Sequence, residues 1–237
     1  MADPNFSSLS SLYDAIEAKF STTSLGNDKW LIPTIACFVY HDPESLKNLY
    51  LHLIHQPAYA SSTARQALVR RIREALFKSI IIIGVCKPIE AILAIADVER
   101  DEDKDYTFTR QEWQADDQNM AMAQAWFGKV YSHNGTPTLD RFAAHKDFSW
   151  LSQTITYGLF LSDRQVLDDV DTQLVVLPSI ASQNLPTESR WHIRGTRRIG
   201  VSKKDVQTLC DIAKTIAEHY NVKLDRVPKV DDVENEV

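Results

Sequence analysis

The sequence predicts an all-α protein, and three observations carry that expectation. Only 7 of its 237 residues are glycine, fewer than the turns of a β-sandwich or a nucleotide-binding α/β fold normally use. Apolar residues recur at three- and four-residue spacing over long stretches. Short breaks at proline, glycine and aspartate separate those stretches.

Residues 8–20 predict a short amphipathic helix with Leu9, Leu12, Ile16 and Phe20 on one stripe. A break containing Gly26 spans 24–28. The apolar stretch 29–41 is the next helix, with Pro33 near its start, where proline is tolerated. His41-Asp42-Pro43 is a turn, and the following helix carries Leu46, Leu49, Leu53 and Ile54. Over residues 63–83, Leu68, Ile72, Ala75, Leu76 and Ser79 recur at helical spacing. Ile80–Ile83 is a β-branched run that suits a strand, yet it continues the helical pattern with no turn residue between, so it is read as helix. Gly84 ends it, and Lys87-Pro88 opens a helix from Ile89 to about Val98. Residues 1–98 therefore form an N-terminal helical half.

The segment 99–117 opens with consecutive charged residues, Glu99 to Asp105. It reads as a solvated linker and the best internal boundary. Helical patterning resumes at 118–133 with Met120, Met122, Trp126, Phe127 and Val130, residues that build cores at this spacing. Residues 134–137, Asn-Gly-Thr-Pro, predict a turn. Asp147 to Leu161 reads as a helix, interrupted at Ser162-Asp163. A helix kinked near Pro178 spans 164–182, and 186–199 with 202–220 form a final pair. The second helical half is thus 118–225, and the acidic tail 226–237 is expected to fray.

The net charge of -6 and pI of about 5.6 argue against nucleic-acid binding, which wants a basic surface. The longest apolar run, Ser79–Cys86, is far short of the roughly 20 residues of a membrane span. Residues 1–8 show no basic region leading into an apolar core, so no secretory signal is expected. Asn235-Glu236-Val237 is not a peroxisomal or endoplasmic-reticulum address. Cys37, Cys86 and Cys210 form no C-x-x-C pair and fit free thiols of a reducing compartment. A cytoplasmic protein without cofactor or metal is expected. His52 and His55 lie three apart, with His41 before them, but no Glu-x-x-His pattern supports a metal site there.

One stretch carries chemistry. Tyr157-Gly158-Leu159-Phe160-Leu161-Ser162, then Leu167-Asp168, then Gln173 to Leu177, lead into the run Glu188-Ser189-Arg190-Trp191-His192-Ile193-Arg194-Gly195-Thr196 and on to Gly200-Val201-Ser202. Residues 147–222 with these motifs resemble the carboxymuconolactone decarboxylase / AhpD-like family, whose signature has a Trp-His-Ile/Leu-Arg-Gly-Ala core. The first half resembles a degraded second copy: Arg73-Glu74-Ala75-Leu76 through Gly84-Val85 and Pro88 is similar to the family's helix exit. A gapless offset of 137 sets His55 against His192 and Glu74 against Asp211. The resemblance implies an AhpD-like helical bundle, with two repeated halves, assembling as a trimer or hexamer. It also implies lactone decarboxylation in some members. Others reduce hydroperoxides through a C-x-x-C pair helped by a histidine and a glutamate.

This chain departs from the peroxidase pattern. Where that motif has its cysteines, four and seven residues before the histidine, stand Glu188 and Leu185; near its helper glutamate, nineteen before, stands Gln173. What remains is an acid–base pair. Glu188 and His192 are four apart and share a helix face, so the carboxylate would orient the imidazole and stabilise its protonated form. Thr196 continues that face, and Gly195 lets a neighbour approach closely. Arg190 and Arg194 on the same helix, with Arg197 and Arg198, are candidate forks for a substrate carboxylate. Tyr157 is a candidate wall residue.

Three functions follow. The first is a cofactor-free acid–base enzyme of the decarboxylase, lactone or enol–keto type. His192 and Glu188 would act on a small carboxylated or phenolic metabolite held by Arg194, Arg190, Tyr157 and Thr196. The second is a peroxidase using Cys37, Cys86 or Cys210 in another geometry. The third is an inactive helical scaffold or binding protein.

Overall fold

The computed structural model describes residues 4–237, with side chains described from residue 8. Among the described residues every regular element is helical, as the low glycine content and the periodicity require. The helices are α1 (Pro4–Phe20), α2 (Leu31–His41), α3 (Leu46–Ile54), α4 (Ser62–Ile83), α5 (Cys86–Ala96) and α6 (Asp117–Tyr131). They continue as α7 (Gly135–Asp140), α8 (Lys146–Trp150), α9 (Asp169–Ala181), α10 (Pro186–Arg198) and α11 (Lys203–His219). A π-helical segment, Leu151–Phe160, follows α8 directly. None of the described helices is long and apolar enough to cross a membrane.

The ends are set by local chemistry. Ser61, Asp116 and Ser202 each accept a hydrogen bond from the backbone N–H three residues on, satisfying one orphan donor of α4, α6 and α11. Asp168 does the same for α9, and Asp171 reaches back to close a capping box. Gly84 ends α4 at φ +90°, a conformation that costs glycine little. The β-branched run Ile80–Ile83 stays inside α4.

The main core joins both halves of the sequence. It holds Leu9, Tyr13, Ile16 and Phe20 of α1, with α2, α3 and the inner face of α4, against Leu174 and Leu177 of α9, Ile193 of α10 and Leu209, Ile212 and Ile216 of α11. Tyr13 completes the α1 stripe, and Leu12 packs on its margin. From Asp171 to Ala181 every residue of α9 is buried, as expected of a helix surrounded by others. Pro178 sits within it. A second cluster gathers Ala123, Trp126, Phe127, Val130 and Tyr131 of α6, Tyr157 and Leu161, and Val176 and Ile180 of α9.

Three segments differ from the sequence expectation. The charged stretch after α5 is largely exposed, but it is tied down at particular side chains. Asp103 is fully buried, its Oδ2 2.7 Å from Arg65 Nε. Asp105 pairs with Arg70 and Arg73, and Arg110 forms a two-pronged bond to buried Glu74 at 2.6 and 2.7 Å. Counter-charges from α4, distant in sequence, turn the run into a strap. The expected turn at 134–137 is helical instead: Ser132–Asn134 is a 3₁₀ turn, and Thr136 and Pro137 lie in the first turn of α7, where proline's missing N–H costs nothing. The tail is docked rather than frayed. Val230 and Val233 belong to the main core, and Glu234 and Glu236 reach arginines of α10.

Candidate functional site

A cavity of about 250 Å³ lies beside the second cluster, between the end of α4, α7, α8, the π segment, α9 and α10. Its walls are chiefly apolar and aromatic: Ile81, Ile82, Phe142, Phe148, Val176 and Trp191. Tyr131, Tyr157, Glu188 and His192 add polar groups. An apolar hollow with a few converging polar groups is the usual form of a small-molecule site.

The π segment builds one wall. Its hydrogen bonds run from residue i to i+5, ending with Leu161 N–H to the Thr156 carbonyl at 3.0 Å. Residues five apart therefore share a face. Leu151 and Ser152, then Thr156 and Tyr157, then Leu161 all line the cavity. Gly158 permits this winding against α6: a Cβ there would sit 2.8 Å from Asn119 Oδ1.

Helix α10 supplies the opposite wall. Pro186 sits in its first turn, where no N–H is missed. Glu188, Trp191 and His192 face the cavity. His192 is 5% exposed. Burial, with the Arg194 charge adding to it, holds its imidazole down to about 4, so it is neutral at physiological pH. Its Nδ1 lies 3.4 Å from Gln173 Oε1. With that oxygen as acceptor, the proton sits on Nδ1 and the Nε2 lone pair remains. The Tyr131 ring stands edge-on, 6.2 Å away at 82°.

The expectation that Glu188 orients His192 is corrected here: no hydrogen bond joins them among the described residues, and Gln173 takes that place. Burial pushes the Glu188 carboxyl up, against an opposing pull from Arg141. Tyr157 is 3% exposed. Its hydroxyl makes no hydrogen bond of ordinary geometry, although Tyr131 is close enough to perturb it; burial is the larger cause holding it well above its usual range. Burial likewise raises Tyr131, to about 12.

Other predicted residues lie outside the cavity. Thr196 donates to the His192 carbonyl at 2.6 Å and reaches Gln173 Oε1 at 3.2 Å, bracing the histidine from behind. Arg190 Nε bonds Glu236 at 2.8 Å, and Arg194 bonds the other oxygen of that carboxylate at 2.9 Å. The reading of these two as a substrate clamp is therefore corrected: the tail already fills their forks. Arg197 pairs with Glu234. Arg198 holds the Tyr131 carbonyl and Asn134.

Cys37 and Cys210 are pushed up to about 12 by burial, the reverse of what a reactive thiolate needs. Cys86 is exposed. His41 stacks on Tyr220 with ring centroids 5.6 Å apart, and His52 packs on Tyr13. Among the described residues no group of His, Cys, Asp and Glu side chains is placed to hold a metal ion.

Gln173, Tyr131, Trp191 and Arg141 enter the site without having been singled out for it. Gln173 had a signal, its position nineteen residues before the histidine. Tyr131 had none beyond the core stripe of α6. No family model, curated protein or solved structure matches this chain.

Proposed function

We propose that this protein is a cofactor-free acid–base enzyme that moves a proton between carbon and oxygen on a small aromatic keto or lactone compound. The observation that carries the reading is the convergence of Glu188, neutral His192 and the Tyr157 hydroxyl in one aromatic-walled cavity. The resemblance of residues 147–222 to the carboxymuconolactone decarboxylase / AhpD-like family supports it. So does the burial that brings the Glu188 carboxyl toward neutrality, where a proton carrier is most effective.

In this reading Glu188, rather than His192, is the proton carrier. Its carboxylate takes the proton from the carbon beside a carbonyl. The electron pair moves onto the carbonyl oxygen, where the Tyr157 hydroxyl donates a hydrogen bond. Glu188 then returns the proton to carbon or oxygen. His192 positions the substrate by accepting a hydrogen bond at Nε2. A thiol peroxidase is disfavoured because desolvation raises the Cys37 and Cys210 thiols to about 12. Assembly as the trimer or hexamer that the resemblance implies belongs to this reading, and sedimentation velocity tests it.

The test is deuterium exchange at the enolisable carbon of aryl-substituted 2-keto acids and aryl lactones in D₂O, followed by NMR. The wild type should accelerate exchange, Glu188→Gln should lose about 10²-fold or more, and His192→Ala should retain more. No acceleration by the wild type, or full activity in Glu188→Gln, overturns the proposal and leaves a binding protein.

A further inference from the structure

Helix α10 is rich in arginine, yet its arginines are occupied. Arg190 and Arg194 hold Glu236, Arg197 holds Glu234, and Arg198 holds α6 and the tail backbone. Arg141, just after α7, differs. It is exposed, and among the described residues its guanidinium makes no hydrogen bond or ion pair, although Glu188 is close enough to feel its charge. Its guanidinium lies over the Trp191 ring, 5.3 Å from the centroid. Trp191 and the adjacent Phe142 both line the cavity. The unpaired charge is thus held at the rim by a wall residue of the cavity itself.

Behind it the cavity is aromatic and large enough for a ring: an apolar hollow of roughly 150 Å³ holds benzene, and this one measures about 250 Å³. The remaining volume accommodates a short substituent. An unpaired guanidinium fork at the rim matches a carboxylate in geometry and charge.

We infer that Arg141 is the anion-recognising residue of this cavity, and that its ligand is a small aromatic carboxylate with the ring inside and the carboxylate at the rim. This rests on the cavity being the working site, and it assigns to Arg141 the clamp that Arg190 and Arg194 do not provide. Catalysis by Glu188 is a separate matter, because binding is measured without turnover.

The test uses the full chain and two probes of equal ring size, benzoate and methyl benzoate, titrated by ligand-observed NMR and calorimetry. Benzoate should bind more tightly than the ester. Arg141→Ala should weaken benzoate about tenfold and leave the ester unchanged. Arg141→Lys should recover part of the loss, and Lys146→Ala, an exposed cation of α8 that does not line the cavity, should change nothing. Circular dichroism confirms that each variant is folded. Glu188→Gln removes a negative charge that Arg141 already pulls on, so it should keep or raise benzoate affinity even if it abolishes exchange, and failure of the catalytic reading is distinguishable. The inference is overturned if neither probe binds the folded wild type at millimolar concentration. It also fails if acid and ester bind alike, or if Arg141→Ala leaves benzoate affinity intact.

Discussion

Gly195→Ala sets two effects of opposite sign against one another. Gly195 lies within α10 where that helix crosses α6. A methyl group there would come 2.5 Å from Val130 Cγ1 and 3.2 Å from the Val130 carbonyl oxygen. Val130 is 1% exposed, and a β-branched side chain in a helix has one strongly preferred χ1 rotamer. The methyl cannot swing aside, so α10 must move off α6. Overpacking of this kind costs ~1–3 kcal/mol. Alanine gains ~1 kcal/mol over glycine in helix propensity. At 2.5 Å the contact sits in the upper part of that range, so the clash wins, with a net loss of up to about 2 kcal/mol. Urea unfolding reads this as a lower midpoint at unchanged slope, and thermal unfolding as a fall of roughly 2–4 °C per kcal/mol. Val130→Ala in the same chain removes the clashing atom. The double variant should therefore be more stable than the sum of the singles by ~0.5 kcal/mol or more. A Gly195→Ala protein as stable as the wild type would refute the close crossing of α6 and α10.

Three further outcomes are expected. His192 titrates at about 4 when folded and at an ordinary 6.5 when unfolded. The unfolded chain then binds more protons between those values, and stability falls as pH drops through that window by up to ~3 kcal/mol. His192→Asn should flatten that slope in urea titrations, leaving the part owed to His41, also held down to about 4 by burial; an unchanged slope contradicts a neutral buried imidazole. Glu74→Gln strips the carboxylate from buried Lys78 and from Arg110 and should cost ~3–5 kcal/mol in calorimetry, whereas a loss below ~1 kcal/mol counts against the network. Arg190 and Arg194 hold the Glu236 carboxyl below its ordinary 4.5, and Arg197 does the same for Glu234. Tail docking should therefore persist above that value and be lost as pH falls through the lower folded values. Glu236→Gln should cost only ~1 kcal/mol or less yet raise hydrogen exchange across residues 230–237; unchanged exchange argues that Val230 and Val233 alone hold the tail.

The helices were legible where the signal is local. The apolar spacing of α3 and α4, the turn at His41-Asp42-Pro43 and the stop at Gly84 all act within a few residues. The π winding of Leu151–Phe160 was not, because it depends on Asn119 of α6 approaching Gly158. The strap and the tail were misread for one reason. A run of acids looks solvated unless its counter-charges are known, and those sit on α4 and α10, more than 30 residues away in sequence. His192 and Glu188 were found from their helix, but their relation was not. Spacing of four permits contact without requiring it, and the imidazole meets Gln173 of the neighbouring helix instead.

That outcome follows from how α10 divides its circumference. Glu188, Trp191 and His192 turn to the cavity. Buried Ser189 and Thr196 and core residue Ile193 face inward. Arg190, Arg194 and Arg197 meet the tail acids. The helical repeat fixes this separation, since at 3.6 residues per turn the three groups occupy successive arcs around the helix. A guanidinium at 190 or 194 is thereby kept out of the cavity, and the tail carboxylates neutralise charge that would otherwise repel a proton on His192 still more strongly. The polar groups of the cavity consequently take their protonation states from burial more than from ion pairing: imidazole neutral, carboxyl raised, phenols protonated. In the reading proposed above, a cavity so arranged suits a ligand whose reacting part is uncharged, with any carboxylate it carries left outside the apolar hollow, beside Arg141.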